Sequence, residues 1–223
     1  MNNQIYLDIG NSYAKWKFQE NYFHVPIDEF ALDLLPISSK IWVSNVSKDF
    51  HVESNSYIHI VEPTQRYKLL TNSYKEPNLL GTDRWLALIA SYEKFYEHSF
   101  ITIDIGSAVT IDVVDSSGKH QGGLIFPGLN KIRQTINSFP VSHIENIYAL
   151  GDSTQKAWSI GTLGLVVNSI NIKVSQIKIE FPHARILISG GGFKNLERFL
   201  NFSYEYHKNL VLDGLELYAD YVG

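Results

Sequence analysis

The chain has 223 residues, 44% hydrophobic and 19% charged, with a net charge of −4 at neutral pH. That balance suits one large globular domain or two small ones, and it argues against a nucleic-acid binder, which carries a basic excess. Cysteine is absent, which removes disulfides, thiolate metal sites and cysteine nucleophiles together and is compatible with a cytoplasmic location. No run of about 18 apolar residues occurs, so no membrane span is expected, and the polar start Met1-Asn2-Asn3-Gln4 has no signal-peptide pattern.

Taken in order, alternating apolar residues predict strands over 4–9, 13–18 and 22–25. A short helix opened by Pro26 and stopped by Pro36 follows, then two strands over 41–45 and 57–61. The polar stretch 63–80, holding Pro63, Asn72, Tyr74, Pro77 and Asn78, reads as a functional loop. It ends at Gly81-Thr82-Asp83-Arg84, and an apolar helix over 85–96 succeeds it. The pattern then restarts with strands over 100–104 and 109–114, a hairpin turn at Ser116-Ser117-Gly118-Lys119, and a strand over 120–126 containing Gly122-Gly123. Pro127 is placed at the first position of a helix reaching Ile136. A long helix over 153–179 has apolar residues on every side and is expected to be largely buried. A buried strand over 185–189 runs into Gly190-Gly191-Gly192 and a helix over 193–200; a strand over 209–212 and a closing helix capped by Asp213 complete the chain.

Two stretches repeat each other across this plan. Asp8-Ile9-Gly10-Asn11-Ser12 and Asp104-Ile105-Gly106-Ser107-Ala108 each follow a short apolar run and lead into another strand. A carboxylate at a strand end, a glycine two residues on and a small hydroxylated residue beyond make a phosphate-binding turn. The glycine lets backbone N–H approach an oxyanion, and the carboxylate can hold a metal ion or its water. Lys15 stands on the strand leaving the first turn, either reaching the same charge or simply solvated. The duplication predicts an α/β fold of two ribonuclease-H-like (actin-like ATPase) βββαβαβα units, residues 1–99 and 100–223, with a nucleotide cleft between them.

Three further groupings bear on chemistry. Thr82 and Asp83 sit where they would cap the following helix; alternatively Asp83 is a base and Arg84 a clamp for an anion at a helix N-terminus. Gly122-Gly123 inside a strand marks a bulge or a close approach of ligand or backbone. Gly190-Gly191-Gly192 is either a plain strand–helix turn or a surface against a nucleotide base or ribose. No Gly-x-x-x-x-Gly-Lys-Ser/Thr, no Gly-x-Ser-x-Gly and no zinc-type histidine pair is present.

Together these motifs resemble the type III pantothenate kinases of the actin-like superfamily, and the likeness runs from Asp8 to the closing Asp213-Gly214-Leu215-Glu216. Asp8, Ile9, Gly10, Asn11, Ser12, Tyr13, Ala14 and Lys15 resemble the family's first phosphate motif, which binds ATP. Tyr74 with Leu80-Gly81-Thr82-Asp83-Arg84-Trp85 is similar to its pantothenate-binding segment, in which the Asp is the proposed base; this is the most specific of the motifs. Asp104 to Ala108 resembles the second phosphate motif. There the resemblance implies a monovalent cation, potassium or ammonium, at Asp104 and an ATP contact from Ser107, where many relatives carry Thr. Ser153-Thr154-Gln155-Lys156-Ala157 resembles a segment whose Thr, here Thr154, contacts pantothenate across a dimer interface, although the family's Asn is replaced by Ser153. What the resemblance implies is ATP-dependent phosphorylation of pantothenate, the first step of coenzyme A biosynthesis, by a homodimer with Mg²⁺ near Asp8. The alternatives are a catalytically reduced accessory regulator of transcription and another actin-like small-molecule kinase.

Overall fold

The structure, a computed structural model, describes residues 3–223; Met1 and Asn2, at the polar start of the chain, lie outside the described residues. The helices in chain order are α1 (Thr82–Lys94), α2 (Leu129–Gln134), α3 (Thr154–Glu180), α4 (Phe193–Leu196) and α5 (Leu210–Val222). None of them is long and apolar enough to cross a membrane.

Five strands, β1 (Gln4–Ile9), β2 (Tyr13–Phe18), β3 (Asn21–Pro26), β4 (Lys40–Asn45) and β5 (Ile58–Ile60), form the first sheet in the order β3-β2-β1-β4-β5. β1, β2 and β3 pair antiparallel, whereas β4 joins β1 and β5 joins β4 in parallel. Strand alternation sends Ile5, Leu7, Ile9, Ala14, Trp16, Ile41 and Val43 to one face, where they share a core with Phe30 and Ile58. That face is covered by Ile27, Leu35, Phe50 and Val52 from connecting segments. The helix expected after Pro26 is replaced by two 3₁₀ turns, Ile27–Glu29 and Leu32–Leu34. A stretch bounded by two prolines is too short to offset the cost of helix nucleation, and its apolar side chains reach the sheet without one.

The other face carries Tyr6 and Trp42, both buried, and packs against α1 and α5. Gly214 of α5 comes so close to α1 that a Cβ there would lie 2.0 Å from the Leu86 carbonyl oxygen. Lys17 on β2 donates to Glu216 at 2.5 Å, and the Tyr22 hydroxyl donates to Asp213 at 2.6 Å. Burial, reinforced by that bond and the Asp213 charge, pushes the Tyr22 phenol up to about 12. Residues 209–212 are therefore not a strand: Asn209 precedes α5, and Leu210, Leu212 and Leu215 are buried on the helix. Asp213 does not cap that helix; it lies inside its first turn, where it meets Tyr22. The loop expected over 63–80 contains a small antiparallel hairpin, β6 (Arg66–Tyr67) with β7 (Leu70–Thr71), and a 3₁₀ turn, Pro77–Leu79.

The second sheet repeats the first position by position. β8 (Phe100–Ile105), β9 (Ala108–Val114), β10 (His120–Pro127), β11 (Arg185–Ser189) and β12 (Glu205–Tyr206) take the order β10-β9-β8-β11-β12. Its core joins Ile101, Ile103, Ile186 and Ile188 to Leu163, Val166, Val167 and Ile170 of α3. Burial of α3 is one-sided, contrary to the expectation from its apolar sequence: Leu165, Ile172 and Ile179 are 58%, 55% and 83% exposed. Pro127 ends β10 rather than opening a helix, because Gly128 N–H donates to Ser107 O at 2.9 Å before α2 begins. The helix expected over 193–200 is short α4 followed by a 3₁₀ turn, Glu197–Phe199.

The chain gathers into two compact units. One holds the residues up to His98 with Val114–Gly122 and Asn209–Gly223; the other holds Ser99–Val113 and Gly123–Lys208. The units are discontinuous where the expected halves 1–99 and 100–223 were contiguous. The cause is local: α5 packs on α1, and the tip of the β9–β10 hairpin docks on β6–β7, with Thr71 N–H donating to Gly118 O at 2.9 Å. Asp115 organises that hairpin. Burial works against its charge, but bonds from the Ser117 hydroxyl, the Lys119 and Ser117 N–H groups and the Gln121 amide hold its carboxyl below the usual range. A depressed pKa stabilises the fold above the unfolded carboxyl's pKa and loses that contribution as pH falls through the folded value. Asp115→Asn is thus expected to cost about 1 kcal/mol at pH 7, discounted for solvent screening, and almost nothing near pH 2. Urea titrations of both proteins at the two pH values measure the difference.

Candidate active site

The first turn is set by strand register. Asp8 lies opposite Lys15 on antiparallel β2 and opposite Ser44 on parallel β4, so the three side chains share the sheet face that the core positions Ile5, Leu7 and Ile9 do not use. Asp8 is 7% exposed, and Ser44 Oγ donates to its Oδ1 at 3.0 Å. Gly10 N–H closes the turn by donating to Tyr13 O at 3.0 Å, which leaves Asn11 and Tyr13 exposed and Ser12 half-buried. Ile9 and Ala14 belong to the core.

The second turn repeats this arrangement in the other unit. Asp104 stands opposite Ser189 on parallel β11, as Asp8 stands opposite Ser44. Gly106 N–H donates to Ala108 O at 2.9 Å, a turn one residue tighter than the first. Two other glycine segments converge on it. A Cβ on Gly128 would lie 2.1 Å from Gly106 O, and Gly192 N–H donates to Ile105 O at 2.8 Å. Gly106, Ser107, Gly128 and Gly190-Gly191-Gly192 thus bring bare backbone together beside the half-buried Asp104, with Gly128 and Gly190 buried and Gly191 exposed. Tyr206 of β12 stacks on Phe193 with ring centroids 4.3 Å apart, and burial, aided by the Asp104 charge, raises its phenol.

The third grouping lies in the first unit. Asn72, 4% exposed, accepts Tyr74 N–H at 3.0 Å on its Oδ1 and donates to Pro77 O at 3.2 Å. The backbone of the polar segment is thereby held before α1 starts. Arg84, 5% exposed, donates from Nη1 to the Tyr74 hydroxyl at 3.0 Å, with its guanidinium carbon 5.8 Å from the ring centre. Asp83 Oδ1 accepts Arg84 N–H at 2.8 Å, and a Cβ on Gly81 would come within 2.7 Å of that same oxygen. Glycine at this position leaves room for the carboxylate at the start of the helix. Thr82 is buried and donates to Val61 O at 3.5 Å, so it anchors α1 rather than capping it; the residue preceding the helix is Gly81.

Tyr74, Gly81, Asp83 and Arg84 are therefore neighbours, as their spacing suggested. Thr154 opens α3 in the second unit and is exposed; Ser153 caps the helix by accepting Lys156 N–H. Sequence reading passed over His120. It is fully buried, its Nδ1 lies 3.1 Å from Ser73 Oγ, and its ring runs nearly parallel to that of Tyr74 at 6.3 Å. Its position two residues before Gly122-Gly123 was the available signal.

The sequence pattern of the type III pantothenate kinase family matches residues 30–176. A type III pantothenate kinase from Alcanivorax borkumensis is 30% identical over 241 residues, covering 96% of this chain and 98% of the relative. Among solved structures, one described as a Baf family transcriptional activator from Campylobacter jejuni is 26% identical with a TM-score of 0.68 over 97% of both chains. Another, described as a 2-dehydro-3-deoxygalactonokinase from Sinorhizobium meliloti, shares the fold with a TM-score of 0.63 at 10% identity, covering 97% of this chain and 95% of that one.

Proposed function

The chain belongs to the type III pantothenate kinase family, and on that premise we propose that it transfers the γ-phosphoryl group of ATP to the primary hydroxyl of pantothenate. The observation that carries this reading is the contact between Tyr74 and buried Arg84 beside Asp83. Pantothenate has a carboxylate at one end and a primary alcohol at the other. A guanidinium suits the carboxylate, and a carboxylate at the helix start suits the alcohol proton.

In the proposed reaction the alcohol oxygen bonds to the γ-phosphorus as the bond to the β–γ bridging oxygen breaks, releasing ADP. Asp83 takes the hydroxyl proton. Little covalent work is left for the protein in phosphoryl transfer, so positioning and charge neutralisation dominate. Asn11, Ser12 and Lys15 supply phosphate donors from the first turn, where Gly10 leaves room for a close approach, and Ser107 supplies one from the second. Magnesium binds through one or two carboxylates together with substrate phosphates, and buried Asp8, already hydrogen-bonded by Ser44, fits that role. Asp104, beside the bare backbone of the second turn, fits a weakly held monovalent cation. These ions supply neutralisation of phosphate charge. Exchanging potassium for sodium is accordingly expected to raise the KM for ATP several-fold; initial rates indistinguishable in the two salts would remove the cation from Asp104.

A homodimer belongs to the same proposal. Leu124, Ile125 and Phe126 of β10 and Leu165 and Ile172 of α3 line a groove of about 570 Å³, an apolar face large enough to invite a partner. A second copy is the occupant that fits Thr154's place on the same helix. Light scattering is expected to give a dimer for the unsubstituted chain and a monomer for Leu165→Glu with Ile172→Glu. Monomers in both would discard it. The substrate reading is tested by ATP consumption with pantothenate set beside sugars and polyphosphate, pantothenate alone being expected to support turnover.

A further inference from the structure

We propose that His120 is a positioning residue for the acceptor substrate, acting by fixing the Ser73–Tyr74 segment and, through Tyr74, the guanidinium of Arg84. The inference rests on the reading of Tyr74 and Arg84 as pantothenate contacts. It adds a residue that lies far from both in sequence and reaches them only because the β9–β10 hairpin docks on β6–β7.

His120 opens β10 and has no exposed surface. An apolar residue would fill such a place without the cost of desolvating two ring nitrogens. Its Nδ1 is instead directed at Ser73 Oγ, 3.1 Å away. Ser73 is exposed, so water would satisfy its hydroxyl equally well, and the serine does not need the bond to His120 to offset burial. What the bond does is order the residue next to Tyr74.

Tyr74 is then constrained at three points. Its N–H donates to Asn72 Oδ1 at 3.0 Å, its ring lies 12° from the plane of the His120 imidazole, and its hydroxyl receives Arg84 Nη1 at 3.0 Å. Tyr74 is only half-buried, and without these contacts its ring would have open rotamers to sample. Arg84 projects from the first turn of α1 with its long side chain buried, and the Tyr74 hydroxyl is one of the groups that hold its guanidinium. The hydroxyl bond to Tyr74 contributes to the guanidinium orientation offered to a substrate carboxylate. The chain of placement runs from hairpin to His120, from His120 to Tyr74, and from Tyr74 to Arg84. The hairpin end is itself firm, since a Cβ on Gly118 would meet Leu69 O at 2.8 Å and Lys119 bridges to Thr71.

The test is steady-state kinetics with each substrate varied in turn, on His120→Ala, His120→Asn and Ser73→Ala beside the unsubstituted enzyme. His120→Ala loses a ring contact and a hydrogen bond and is expected to raise the KM for pantothenate about tenfold. The KM for ATP should stay constant and kcat should change less than about twofold, because the chemical groups remain. His120→Asn, which keeps a polar atom near the Nδ1 position, should recover part of the loss. Ser73→Ala should raise the pantothenate KM about threefold. A merely structural histidine would lower the active fraction and leave both KM values alone, and that result overturns the inference. If His120→Ala does not fold, Ser73→Ala at its exposed position decides: an unchanged pantothenate KM there overturns it as well. Absence of turnover by the unsubstituted enzyme on pantothenate would instead overturn the substrate reading, and this inference with it.

Discussion

Asp83→Asn is expected to lower kcat about a thousandfold while leaving the affinity for ATP unchanged, because it removes a proton acceptor and little else. The substitution is nearly isosteric. The Asn amide oxygen can still accept the Arg84 N–H that Asp83 Oδ1 accepts at 2.8 Å, so the start of α1 and the placement of Arg84 are retained. The turns at Gly10 and Gly106, to which nucleotide binding is assigned in the proposal, are elsewhere in the chain and keep their own backbone bonds to Tyr13 and Ala108. Nucleotide binding followed by calorimetry should therefore match the unsubstituted protein. Near-normal kcat in the variant would move the proton-acceptor role away from Asp83.

Gly214→Ala should destabilise the protein by about 3 kcal/mol, at the upper end of the cost of overpacking a close contact. The added Cβ would fall 2.0 Å from the Leu86 carbonyl oxygen and 2.6 Å from its carbon, so α1 and α5 must separate. Neither neighbour is the far end of a flexible side chain. For a chain of this length that loss corresponds to a fall in Tm of roughly 6–12 °C, measurable by circular dichroism. α1 also carries Asp83 and Arg84, so displacement of the helix should reduce turnover in the folded fraction. A Tm indistinguishable from that of the unsubstituted protein would mean that the two helices are not held at the distance described.

How much of this was legible in the sequence depends on the range of the forces involved. The two glycine turns were legible because a carboxylate, a glycine and a hydroxyl at fixed spacing are a local signal. The sheet order repeated around Asp8 and Asp104 bears out the α/β duplication. Tyr74 and Arg84 could be grouped from their motif, since Asn72, two residues before Tyr74, ties Tyr74 N–H and Pro77 O together locally. Residues 209–212 misled because a short apolar run has no period of its own; burial against α1 and the sheet decides for helix there. The exposed side of α3 was hidden for the opposite reason, as its apolar residues surround the helix and nothing local says which side meets the core. Beyond its place before Gly122-Gly123, nothing local pointed to the contact of His120 with Ser73, which arises from the docking of one hairpin on another between residues 47 apart in sequence.

Phosphorus NMR of a reaction containing the protein, ATP and pantothenate tests the central claim most directly, because the splitting of the product signal reports the atom that was phosphorylated. Transfer to the primary alcohol places two protons on the adjacent carbon and predicts a triplet, growing as ADP appears. A doublet from the secondary alcohol, an unsplit signal from the carboxylate, or no transfer at all would contradict the account; the last of these would favour a regulator that has kept the fold without the chemistry.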